Sequence, residues 1–230
     1  MKLILNGGGV GEQVKNARNV LNDVIDNSKK ILYIPLAWPD STYKGCLEFM
    51  EEELSDIEKS GIDMITSAGE LLDKNLTDYA CLYIGGGNTY KLLNELKISG
   101  AFEKIKTYLL EENGIVYGGS AGAIIFGKDL DSCNLDDENE VGLVDNAGFD
   151  MLNGYSLLCH YTNKNEERTN KSREYLLKLS QNKPIYAIPE EDTILVENDK
   201  ITIIGSKPYY EFTSNKEIKH EISKNNKKTY

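Results

Sequence analysis

The chain has 230 residues, 40% hydrophobic and 27% charged, and carries 26 Lys and Arg against 37 Asp and Glu for a formal net charge of -11. That length suits one sizeable core, and the composition excludes collagen-like, low-complexity and largely disordered chains. An excess of negative charge repels phosphate backbones and anionic lipid surfaces, so neither nucleic acid nor a membrane is expected as a partner.

No apolar run approaches the roughly 18 to 20 residues that cross a bilayer. The N-terminus enters a strand-like MKLILN instead of a signal-peptide pattern, and a cytoplasmic location is expected. Cys46, Cys81, Cys133 and Cys159 are scattered without a CxxC pair, so free thiols are expected, with no metal site and no cofactor. Two histidines, His160 and His220, limit where acid-base chemistry can sit.

In chain order, short apolar runs alternate with helical patterns. Leu3 to Leu5 precedes a helical stretch through Val24, and Ile31 to Pro35 precedes an amphipathic one from Tyr43 to Ile57. Ile62 to Ile65, Tyr79 to Ile84 and Gly114 to Gly118 read as further strands, with helices across Tyr90 to Leu96 and Phe102 to Leu110. Strands such as CLYI are apolar on successive residues, as in parallel sheets covered on both faces. The reading is an α/β, three-layer α/β/α fold with a mostly parallel sheet.

Lys128 to Glu140 carries six carboxylates without periodicity and reads as a solvated loop. Tyr155 to Cys159, a helix from Glu166 to Leu179 and a strand from Ile185 to Ile188 follow. Thr193 to Glu197 and Ile201 to Ile204, joined by Asn198-Asp199-Lys200, read as a small C-terminal β-hairpin. No linker divides the chain, so one domain is expected over 1–214, with a polar, mobile tail over 215–230.

The most specific motif is GIVYGGSAGAIIFG, a strand running through Gly118-Gly119-Ser120-Ala121-Gly122 into a helix. G-x-S-x-G in that context holds a serine at a strained turn above the carboxyl end of a strand, and the next amide, that of Ala121, faces an oxyanion position. The alternatives are a tight helix-over-strand crossing or a phosphate turn. A second glycine turn, Gly85-Gly86-Gly87-Asn88-Thr89, offers Gly87 as the other oxyanion amide. The N-terminal GGGVGE lacks the spacing of a dinucleotide loop, because Glu12 stands where glycine is required.

A serine nucleophile needs a base, and His160 ends a strand at the expected sheet edge whereas His220 lies in the polar tail. A carboxylate must orient that base, and the acidic loop supplies candidates.

These residues resemble the peptidase E family, which is related to cyanophycinases and has a flavodoxin-like, class I glutamine amidotransferase-like fold. The resemblance runs through Gly85 to Leu96, YGGSAGA, NEVGLVDNAGFDML, CHYTN and IPEEDTI, in the family's order. It implies a serine-type peptidase with Ser120 as nucleophile, His160 as base, Gly87 and Ala121 as oxyanion amides, and Glu140 as triad acid, with Asp145 or Asp137 as fallback. Gly119 stands where the family's dipeptidase has tryptophan, which removes a wall of the site.

The activity so implied is hydrolysis of short peptides, with α-aspartyl dipeptides as the family's substrate. Asn88, Arg168, Lys171 and Arg173 are the candidate substrate-binding residues. The expected partner is a small peptide, and the expected state a monomer or small homo-oligomer. Three alternatives stay open: an acyl or amide hydrolase of cyanophycinase-like specificity, a non-catalytic binding module, and a flavodoxin-like cofactor binder.

Overall fold

The structure, a computed structural model, describes residues 1–222. In chain order the elements are β1 (Lys2–Asn6), α1 (Lys15–Val24), β2 (Ile31–Ile34), α2 (Tyr43–Glu53), β3 (Ile62–Met64), α3 (Glu70–Asp73) and β4 (Cys81–Ile84). They continue with α4 (Thr89–Ser99), α5 (Ala101–Leu110), β5 (Ile115–Gly119), α6 (Ala121–Ile124), β6 (Ser156–Leu158) and α7 (Glu166–Leu179). β7 (Ile185–Ala187), β8 (Thr193–Glu197), β9 (Lys200–Ile204), β10 (Tyr209–Thr213) and β11 (Lys216–His220) complete the chain.

Seven strands form the main sheet in the order β3-β2-β4-β5-β1-β8-β9. The first five are mutually parallel, and β8 and β9 are antiparallel. Side-chain alternation divides each strand between two cores. Leu3 and Leu5, Leu32 and Ile34, and Leu82 and Ile84 pack with α4 and α5 through Leu92, Leu96, Ile105 and Leu109. Ile4, Ile31, Tyr33, Cys81, Tyr83 and Tyr117 pack on the other face with Ala17 and Leu21 of α1 and Met50 of α2. Burial on both faces explains the uninterrupted apolar runs of the strands and gives the three layers.

The expected hairpin is β8–β9, with a tighter turn than its sequence suggests. Lys200 pairs with Glu197, leaving Asn198 and Asp199 as a two-residue turn, both at positive φ.

A second sheet, in the order β11-β10-β7-β6, is absent from the sequence reading. The chain from 215 onward is not a tail throughout. Ser214 and Asn215 turn at positive φ, and Lys216–His220 pairs with β10. Its side chains are anchored: Glu217 accepts hydrogen bonds from Tyr161 and Arg173, and His220 stacks on Tyr209. The Lys- and Asn-rich composition concealed a strand that buries little apolar surface. Positions 223–230 of the expected tail lie outside the described residues.

The acidic segment is likewise not a free solvated loop. Buried Asp129 accepts hydrogen bonds from Ser156 and Lys183, and Lys183 also pairs with Asp131. Asp136 pairs with Lys164 and Arg168. No helix among the described residues is long and apolar enough to cross a membrane.

Candidate active site

Ser120 stands between β5 and α6 at φ 52 and ψ -114, a backbone region that costs an L-residue on the order of 1–3 kcal/mol. The packing imposes it. A Cβ at Gly118 would collide with the Gly122 carbonyl and one at Gly122 with the Ile84 carbonyl, so the glycines of the motif let α6 start directly over β4 and β5. The Ser120 amide donates to the Asn6 carbonyl at 3.2 Å, tying the turn to the end of β1. Ala121 opens α6, and the amide of a first helical residue has no intrahelical acceptor.

His160 lies two residues beyond β6, held at φ 58 by donation of its amide to the Gly7 carbonyl at 3.0 Å. Its Nε2 is 2.8 Å from Ser120 Oγ, and its Nδ1 is 2.9 Å from Glu190 Oε1. A carboxylate accepts from Nδ1–H, which leaves Nε2 to accept from the serine hydroxyl.

The carboxylate on His160 is therefore Glu190, not Glu140, Asp145 or Asp137. Glu140 is exposed. Asp145 accepts from Lys97 at 2.7 Å, and Asp137 accepts from the Thr89 amide at 2.9 Å and from its hydroxyl. Sequence reasoning missed Glu190, which the pairing of two strands brings to the ring. β7 runs parallel to β6 with Ala187 opposite Leu158, so residues just past both strands reach one edge of the sheet. Glu190 is itself fixed: Gln13 donates to Oε2 at 2.9 Å, and the Glu190 amide donates to Asn163 Oδ1 at 2.8 Å.

Gly87 sits at φ 129 against Ala37, where a Cβ would clash with the Ala37 carbonyl. The Asn88 amide donates to that same carbonyl at 2.9 Å, which holds the turn in place. Gly86 brings the turn against the serine, since a Cβ there would be 3.2 Å from Ser120 Cβ.

The four expected substrate-binding side chains are engaged elsewhere. Asn88 caps α4 by accepting from the Lys91 amide at 2.8 Å and donates to the Glu138 carbonyl at 2.9 Å. Arg168 binds Asp136 and the Leu135 carbonyl, Lys171 pairs with Glu167, and Arg173 with Glu217. None of them lines the cleft of about 580 Å³ that opens beside Ser120 and His160. Among the described residues no cluster of three or more His, Cys, Asp or Glu side chains could hold a metal ion.

The fold is shared with solved structures. A peptidase E candidate from Listeria monocytogenes EGD-e superposes with a TM-score of 0.70 at 22% identity, covering 89% of this chain and 98% of its own. A peptidase from an acI-B1 actinobacterium gives 0.68 at 17% identity, covering 95% and 96%. Residues 3–204 match the model of Peptidase family S51, and the chain belongs to that family. Among its relatives, peptidase E of Nostoc sp. PCC 7120 is 29% identical over 91% of this chain and 87% of its own. Peptidase E of Shewanella denitrificans is 26% identical over 91% and 90%.

Proposed function

We propose that the protein is a serine-type peptidase that hydrolyses short peptides through Ser120, His160 and Glu190. The observation that carries this reading is the continuous hydrogen-bonded line from Ser120 Oγ through the imidazole to Glu190, at 2.8 and 2.9 Å.

In this mechanism His160 Nε2 takes the hydroxyl proton as Ser120 Oγ bonds to the scissile carbonyl carbon. The oxyanion so formed accepts hydrogen bonds from the amides of Gly87 and Ala121. When the C–N bond breaks, the imidazolium gives its proton to the leaving amine. Water then attacks the acyl-enzyme, losing a proton to His160, and Ser120 regains its hydrogen. Glu190 holds the ring in the required tautomer and balances the positive charge that appears on it. The described chain contains only free cysteines, three of them buried, which fits the reducing cytoplasm in which we place it.

A fluorophosphonate probe tests the reading. Labelling confined to Ser120, and lost in a folded Ser120→Ala variant together with peptide hydrolysis, supports it. A folded wild-type protein that stays unlabelled overturns it in favour of a binding module.

A further inference from the structure

We infer that the cleft beside Ser120 selects substrates with a neutral, apolar side chain on the residue that supplies the scissile carbonyl, and rejects an aspartyl one; this rests on the serine peptidase reading above.

The sheet order fixes which side of the serine the cleft occupies. Ser120 directly follows β5; β4 and β2 lie to one side, and β1 and β8 to the other. His160 and Glu190 stand on the β1 and β8 side, since the His160 amide donates to Gly7 just past β1 and Glu190 lies three residues before β8. The leaving amine must be on that side, within reach of the imidazole proton. The Gly85–Gly87 turn, to which the peptidase reading assigns an oxyanion amide, is on the β4 side and forms a wall of the cleft. An acyl group held by that turn projects toward β4 and β2.

What it meets there is aromatic. Tyr33, Trp38, Phe49 and Tyr83 line the cleft together with Met50 and Cys46. Tyr33 packs edge-on to Tyr83 with centroids 5.9 Å apart, and Tyr83 stacks on Tyr117 at 4.5 Å. Burial pushes the Tyr33 and Tyr83 hydroxyls far above their ordinary range, so both are neutral. Trp38 and Phe49 are 46% and 47% exposed, an apolar rim at the mouth of the cleft. Gly119 leaves the neighbouring wall open: a Cβ there would touch only the Tyr83 hydroxyl, at 4.0 Å.

Among the described residues the one carboxylate lining the cleft is Glu53, and no Lys or Arg lines it. Glu53 is a partly buried carboxylate that receives Arg18 at 2.7 Å and the Gly11 amide at 3.0 Å. Arg18 also pairs with Asp56 and is spent on those two acids. A substrate carboxylate entering here would lose its hydration, find no cation and face Glu53. An apolar side chain would gain burial against the rings.

The experiment measures kcat/KM of the full chain on X-Leu dipeptides with X as Phe, Leu, Asp or Lys, alongside binding of the matching aminoalkyl boronic acids. The expected result is Phe and Leu ahead of Asp by about 100-fold or more in both measurements. A Phe49→Lys variant should narrow that ratio by about 10-fold or more through gain on Asp and loss on Phe. Asp equal to or better than Phe, with Ser120 still labelled by fluorophosphonate, overturns this inference and leaves the peptidase reading standing. Absence of labelling, hydrolysis and boronate binding together overturns both.

Discussion

Glu190 Oε1 receives His160 Nδ1 at 2.9 Å across the junction of two parallel strands, 30 residues apart in the chain. In a serine hydrolase the carboxylate at this position fixes the tautomer of the base, and neutralising it leaves the imidazole free to present the wrong nitrogen. Glu190→Gln should lower kcat by about 1,000- to 10,000-fold with little loss of fold, whereas Glu140→Gln should stay within about twofold of wild type. Steady-state kinetics on the two variants decide between the carboxylates, and the reverse ranking would return the role to the acidic loop.

Arg168 tests whether the cations beyond His160 serve the substrate or the fold. Its guanidinium anchors the acidic segment through Asp136 and the Leu135 carbonyl, away from the cleft. Arg168→Met should cost about 1 kcal/mol of stability through that partly exposed pair, with KM unchanged. Lys171→Met, which loses an exposed pair with Glu167, should fall within about 0.5 kcal/mol of wild type. Thermal denaturation and KM on one peptide separate the outcomes, and a KM raised tenfold in either variant would restore a substrate role.

Much of this was legible because the motif and the strand pattern obey local rules. The parallel core, the Ser120 turn and the position of His160 follow from apolar runs that end in glycine or polar residues at one sheet edge. Glu190 was hidden by composition. Glu190, Glu191 and Asp192 form one acidic triplet among 37 acidic residues, and only the pairing of β6 with β7 shows which carboxylate faces the ring. The same limit applied to Lys216–His220, a strand whose apolar content is one isoleucine and whose hold comes from ion pairs and a turn. Charge partners such as Lys183 with Asp129 join positions 54 apart, and no spacing rule reports them.

Gly8 and His160 are sterically coupled. Gly8 sits at φ 100 with its amide donating to Asn6 Oδ1 at 2.8 Å, and a Cβ there would overlap the imidazole ring. Gly8→Ala should therefore displace His160 from Ser120 and lower kcat/KM by about 100-fold or more, since a shift near 1 Å costs that much in a preorganised site. Fluorophosphonate labelling of Ser120 should slow in parallel. An active, promptly labelled Gly8→Ala protein would mean that the loop carrying Gly7 to Gly9 yields without moving the base.

Asp192 anchors the turn that bears Glu190, and its ionisation should register in stability. Its carbonyl accepts from Gly7 and its Oδ1 from the Ser206 and Lys207 amides at 3.1 Å, while Oδ2 is buried without a partner among the described residues. Burial pushes the carboxyl from an ordinary 3.8 up to about 7. In the unfolded chain it ionises near pH 4, so between roughly pH 4 and pH 7 folding takes up a proton and the contribution of Asp192 to stability falls as pH rises. Below that window the penalty vanishes, and above it the penalty is full and constant. Asp192→Asn resembles the protonated acid and should gain on wild type across the window, by on the order of 2–4 kcal/mol between its ends. Urea denaturation of both proteins at intervals from pH 4 to pH 8 measures the difference, and curves that run parallel would show that Asp192 ionises as freely in the fold as outside it.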